Sequence, residues 1–117
     1  MTDNRLNQIH ELLQTTIDAA SYVYKQINDG DLSMAMSVTE DIIIGFVSIE
    51  ETLLSMKDVL NNYEEMKEQI TLVKASLNNI VLSFETNEYQ QVASIIHRPL
   101  LKQLKALSSL VEESTPK

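Results

Sequence analysis

The chain has no cysteine, only two glycines and two prolines, four tyrosines and two phenylalanines among 117 residues, and 9 basic residues against 17 acidic ones. Each shortage excludes something. Without cysteine there is no disulfide and no thiolate metal site, which fits a reducing cytoplasm. Two glycines are too few for a Walker loop or a dinucleotide-binding fingerprint, and no Gly-x-Ser-x-Gly elbow is present. A net charge of −8 leaves little lysine and arginine to displace counterions from a phosphate backbone, so nucleic acid is not an expected partner. Residues Met1 to His10 are polar, with no apolar h-region, and the longest apolar run is far shorter than a membrane span. Neither a signal peptide nor a membrane anchor is expected.

Chemistry-bearing constellations are equally scarce. A di-iron bundle needs Glu-x-x-His on two helices, but Asn7 stands three residues before His10 and Ser94 three before His97, and these are the only histidines. The adjacent acids Glu40-Asp41, Glu50-Glu51, Glu64-Glu65 and Glu112-Glu113 point about 100° apart on a helix and do not share a site. No enzyme activity, cofactor or metal is expected.

What the chain does have is helical rhythm. Leu6, Ile9, Leu13, Thr16, Ala20, Val23 and Ile27 recur at spacings of three and four, which predicts a helix from about Asp3 to Asn28. At Asn28-Asp-Gly-Asp31, Gly30 can take the left-handed conformation that closes one helix and Asp31 can cap the next. The second segment, Leu32 to Leu60, carries Ala35, Thr39, Ile42, Phe46, Ile49, Leu53 and Met56, with a second apolar row of Met36, Ile43, Val47 and Leu54 beside it. Two rows imply two neighbours, so this helix is expected at the heart of a bundle. Gly45 interrupts it, and a close approach of another backbone is the expected reason, with a hinge or a ligand notch as the alternative. A third helix is expected from Tyr63 to Phe84 and a fourth from Glu88 to Glu113.

Asn62 with Glu65, and Asn87 with Gln90, have capping spacing. No glycine or proline enforces the turn at Asn61-Asn62, so segments two and three could instead run together as one helix of about 55 residues, roughly 80 Å long. Pro99 lies inside the fourth segment and predicts a kink or break near His97-Arg98-Pro99, a bend around the core or a recognition corner. Sliding the chain along itself until Leu6 falls on Tyr63 also lays Ala20 on Leu77, Gly30 on Asn87, Ala35 on Val92, Ile43 on Leu100 and Val47 on Leu104; shared heptad rhythm explains most of this match, and a repeated hairpin is the alternative. The expected architecture is an all-α, four-helix up-down bundle of two antiparallel hairpins, one domain over residues 1–113 with a flexible tail at 114–117.

Charge is uneven. Residues 1–60 carry three bases against ten acids, while residues 61–117 carry six against seven. Arg98, Lys102 and Lys105 form a basic row that could face Asp41, Glu50 or Glu51, within the chain or across a dimer. The apolar face is wider than one seam requires around Phe46, Val47, Leu54, Leu100 and Leu104, which with Arg98, Lys102 and Lys105 make the candidate partner-binding surface. Met34 and Met36 could add an adaptable patch.

With its hairpin pattern and an Asp29-Gly-Asp-Leu32 turn opening a long amphipathic helix, the chain resembles the small acidic all-helical domains of unknown function of Gram-positive bacteria. More loosely, over about residues 5–112, it is similar in layout to flagellar and secretion export chaperones, which implies a role in holding amphipathic segments of client proteins. The expected function is a cytoplasmic, non-enzymatic module that binds an amphipathic helix of a partner. The alternatives are a self-assembling homodimer and, third, a metal protein or enzyme using His97 with carboxylates of the second helix.

Overall fold

Each three-four seam becomes the buried stripe of a helix. The computed structural model describes residues 4–114, and the described residues form α1 (Asn4–Asp29), α2 (Leu32–Ser55), α3 (Tyr63–Glu85) and a fourth helix made of α4 (Tyr89–Ile95), a π-helical turn (Ile96–Leu100) and α5 (Leu101–Glu113). They make an all-α bundle 47 × 20 × 19 Å across, with no strand among the described residues. Ser114 ends the last helix with its N–H on the Val111 carbonyl, and residues 115–117 of the expected tail lie outside the described residues, as does Asp3.

The first turn forms as its residues dictate. Gly30 adopts φ +85°, its N–H reaching the Ile27 carbonyl, and the Asp31 N–H returns to Gln26. The Asp31 carboxylate then accepts from the Met34 N–H at 3.1 Å. The third turn repeats this geometry at the matching place in the second hairpin. Asn87 takes φ +59°, its N–H bonds the Phe84 carbonyl, and the Glu88 N–H returns to Ser83. Asn87 is therefore the closing residue rather than the expected cap; Glu88 holds the cap position, without a side-chain capping bond.

Between α2 and α3 the chain turns, so the single long helix is not formed. Buried Met56 and Leu60 anchor the turn, and the N–H groups of Val59 and Leu60 both reach the Met56 carbonyl. The expected capping box at Asn62 is absent. Its Nδ2 instead donates to the Leu110 carbonyl at 2.8 Å, one of the carbonyls the end of α5 leaves without a helical partner.

Pro99 neither breaks the fourth helix nor ends it. A proline has no N–H to give and its ring crowds the preceding turn; here the turn widens to the π register, with the Leu101 N–H on the Ile96 carbonyl. That turn holds one extra residue, and the buried positions show it. Ahead of it, Ala35 and Thr39 match Val92 and Ile96 at the same offset that sets Gly30 on Asn87. Beyond it the offset grows by one, so that Ile42, Phe46, Ile49 and Leu53 match Leu100, Leu104, Leu107 and Val111. A constant offset sets Ile43 on Leu100 and Val47 on Leu104; the true counterparts are Ile42 and Phe46. The α1 and α3 stripes match without any such slip, Ile9 with Met66, Leu13 with Ile70, Val23 with Ile80 and Ile27 with Phe84.

The helices form a ring in which α1 packs on α2 and on the fourth helix, α3 packs on the fourth helix and, sparsely, on α2, and α2 has no neighbour in the fourth helix. The expectation that α2 lies at the heart is thus overturned. Its first row is buried against α1, but Met36, Val47 and Leu54 of the second are 44%, 46% and 50% exposed.

Gly45 is not explained by close approach either, because a Cβ built there meets nothing within 4 Å. Replacing Gly45 by alanine is expected to stabilise the fold by about 1 kcal/mol, raising Tm by about 4 °C; an unchanged or lower Tm in a thermal melt refutes this account. Deleting Pro99 should leave a folded bundle with an ordinary α-helix in phase with α2. Deleting Lys105, by contrast, turns Leu107 and Val111 about 100° off the core and should abolish the cooperative melt. Two equally stable deletions would show that the π turn does not set the register.

Candidate functional site

The repeat makes the two inter-hairpin seams equivalent by position, and they differ. Where α1 meets the fourth helix, Ile17, Ala20 and Tyr24 stand at the positions that Lys74, Leu77 and Val81 hold on α3, while Leu104 and Ser108 stand where α2 has Phe46 and Glu50. The α1 seam closes. Ala20 is fully buried and small, Ser108 accepts from Gln14 Nε2 at 2.9 Å, and Tyr24 stacks on His97 with ring centroids 5.2 Å apart. That stacking sets His97 against α1, and the π turn that carries it does not pack on α2. Among the described residues no group of three or more His, Cys, Asp or Glu could hold a metal ion.

The α2–α3 seam stays open. Leu77 is larger than Ala20, and the centre of the seam holds an ion pair, Lys74 Nζ to Glu50 Oε2 at 3.0 Å, whose side chains are 56% and 31% exposed. Closing helices over it would strip water from two charges, a cost that burial rarely recovers. A groove of about 240 Å³ results, lined by Ile43, Phe46, Val47, Leu77, Asn78 and Val81 and crossed by the Glu50–Lys74 pair. Phe46, 2% exposed, forms its floor. At the turn end of the same seam, partial burial and then the carboxylates of Glu50 and Glu64 raise the Tyr63 phenol above its ordinary pKa, keeping it protonated.

The expected surface residues divide. Phe46 and Val47 line the groove and Leu54 continues the α2 row toward the turn. Leu100 and Leu104 are buried core residues, 1% and 0% exposed, on a helix that does not touch α2. Arg98 and Lys102 sit with Leu72, Pro99 and Gln103 in a separate hollow between α3 and the fourth helix, and Lys105 is exposed. The basic row therefore does not meet Asp41, Glu50 or Glu51 within the chain; Glu50 takes Lys74 instead.

Sequence reasoning missed Ile43, Lys74, Leu77, Asn78 and Val81 as groove residues, although Leu77 was visible as the large counterpart of Ala20. It also missed Ile44, which at 67% is the most exposed large apolar side chain described. By length and mean hydropathy, 1.6 over its most apolar window, α2 could cross a membrane. Core helices pass the same test, and the inner row of α2 is packed on α1.

Fold and site together define a class: an all-α domain built as a repeated helical hairpin with one seam left open. A family model described as "Domain of unknown function (DUF8042)" matches residues 4–110, and the chain belongs to that family. No curated protein and no solved structure matches it.

The closed seam supplies a test of why the other is open. Ala20→Leu, which installs the residue α3 carries at that position, should wedge α1 from the fourth helix and cost about 1–3 kcal/mol in urea denaturation. A variant as stable as the parent would mean that small residues do not close the seam.

Proposed function

We propose that the domain is a non-enzymatic interaction module that holds an amphipathic helix of a partner protein along α2 and the α2–α3 groove, the helix-in-groove mode of recognition. One observation carries this reading. At the positions where α2 exposes Ile44, Val47 and Leu54, the equivalent helix of the same bundle exposes Lys102, Lys105 and Glu112. The fold accepts charge there, so the apolar side chains of α2 answer to something other than folding. Contiguous exposed apolar surface on a soluble domain is characteristic of interaction sites. The loose resemblance in layout, read from the sequence, to flagellar and secretion export chaperones, and a cysteine-free chain that fits a reducing cytoplasm, accord with a role in holding client helices.

Self-assembly through the same face is the second reading, favoured by the basic row Arg98, Lys102 and Lys105 on a chain whose α2 is acidic. A homodimer would place the Arg98 row of one copy on α2 of the other.

The repeat provides its own test. Ile44→Lys, Val47→Lys and Leu54→Glu, made together, copy residues the bundle already carries at equivalent positions and should leave Tm within a few degrees of the parent. They should also abolish binding of an 18-residue amphipathic peptide followed by fluorescence anisotropy. Undiminished binding sinks the groove; a parent dimer in light scattering that the triple variant dissolves transfers the surface to self-assembly.

A further inference from the structure

The partner's chemistry can be read from the rim of the groove, an inference that rests on the helix-in-groove reading. α2 carries four acids, Glu40, Asp41, Glu50 and Glu51, and no base. Glu50 is already engaged by Lys74 on the groove side. Glu40 and Glu51, both exposed, lie on the outer side of the Met36, Ile43, Val47 and Leu54 row, between it and Ile44, eleven residues apart, which is three helical turns or about 16 Å. Among the described residues neither has a hydrogen bond or ion pair, and a helix laid along the row would pass both. The facing edge on α3 offers Lys67 and Lys74 beside Asn78, Val81 and Glu85. The outer edge is thus acidic, while the α3 edge is mixed, with Lys74 paired to Glu50 and Glu85 at its far end.

From this we infer that the groove selects an amphipathic helix of about five turns whose apolar stripe is bordered on one edge by lysine or arginine three turns apart, set against Glu40 and Glu51. A second copy of this chain does not meet the description. Its α2 has the apolar row but acidic borders, so two such faces would oppose like charges, and its basic row exposes Lys102, Lys105, Ser109 and Glu112 with no apolar stripe. A partner that supplies both features in one helix fits better than α2 or the basic row of a second copy.

The test uses the full chain and two synthetic 18-residue helices with the same Leu/Ala stripe, one with lysines and one with glutamates on the edge that meets Glu40 and Glu51. The lysine peptide should bind the parent, weaken as salt rises, and lose about tenfold in affinity against the Glu40→Lys, Glu51→Lys variant, which should gain affinity for the glutamate peptide. Tm of that variant is measured alongside, since both positions are exposed and the fold should be retained. Equal binding of both peptides by the parent overturns the charge selection while leaving the groove standing. Binding of neither peptide overturns the charge selection and the helix-in-groove reading together. A parent dimer in light scattering that the same charge variant dissociates, or flotation of the parent with phosphatidylcholine vesicles that the lysine peptide does not displace, assigns the face to a second copy or to lipid and overturns the inference.

Discussion

A helix that buries one face along its whole length cannot take in a single residue without turning that face about 100° toward solvent. The fourth helix carries one residue more than α2 between its matched buried positions, Ile96 to Leu100 against Thr39 to Ile42. The bundle absorbs it in one π turn. Leu100, Leu104, Leu107 and Val111 therefore return to the core in the phase that Ile42, Phe46, Ile49 and Leu53 hold in the other hairpin. Pro99 lies within that turn, where a widened backbone suits a residue with no N–H and a ring pressing on the turn before it. The same demand for phase explains the helix ends, because both hairpins close on a residue with positive φ and the same pair of backbone bonds.

Once the stripes are in phase, the bundle has two inter-hairpin seams that backbone geometry alone would make alike. Side chains separate them. Ala20 and Ser108 let α1 and the fourth helix approach, and Gln14 and Tyr24 fasten the contact to Ser108 and His97. Leu77 and the solvent-exposed Glu50–Lys74 pair hold α2 and α3 apart. An exposed ion pair of this kind contributes little to stability, roughly 0–1 kcal/mol. Its larger effect is to keep the seam open to solvent, so that buried Phe46 is at once a core residue and the floor of the groove.

Much of this architecture was legible in the sequence, because it depends on period and on turn chemistry. The seam residues of α1 and α3, the left-handed Gly30, the Asp31 cap and the repeat of the hairpin could all be read from spacing. What could not be read depends on partners distant in the chain. The double apolar row of α2 suggested two neighbours, and only the ring order of the helices reveals that the second row has none. Asn62 has the spacing of a cap, yet the open end of α5 lies near enough to take its amide. Proline signals a kink or a break near that point, and an irregular turn is found there, but nothing in local sequence says that it takes the π form and absorbs one inserted residue. Leu100 and Leu104 read as surplus apolar surface because the face is wider than one seam requires, and only the ring order of the helices shows that both α1 and α3 cover the fourth helix.

The corrected phase changes what the repeat says about function. With one constant offset, Val47 aligns with Leu104 and α2 is no more apolar than its counterpart; with the extra residue of the π turn allowed for, Val47 aligns with Lys105 and Ile44 with Lys102. Two helices at matched positions of the repeat then carry opposite chemistry on their outer faces, and they differ in packing as well, since α3 covers the fourth helix and meets α2 only sparsely. Fully burying a side chain the size of valine or leucine is worth roughly 1.5–3 kcal/mol, a gain that half-exposed Val47 and Leu54 leave largely unrealised. Folding does not call for these residues, and solubility argues against them. Coverage by the proposed partner helix would recover that free energy, and the carboxylates beside the row would then bear on which helices could approach it.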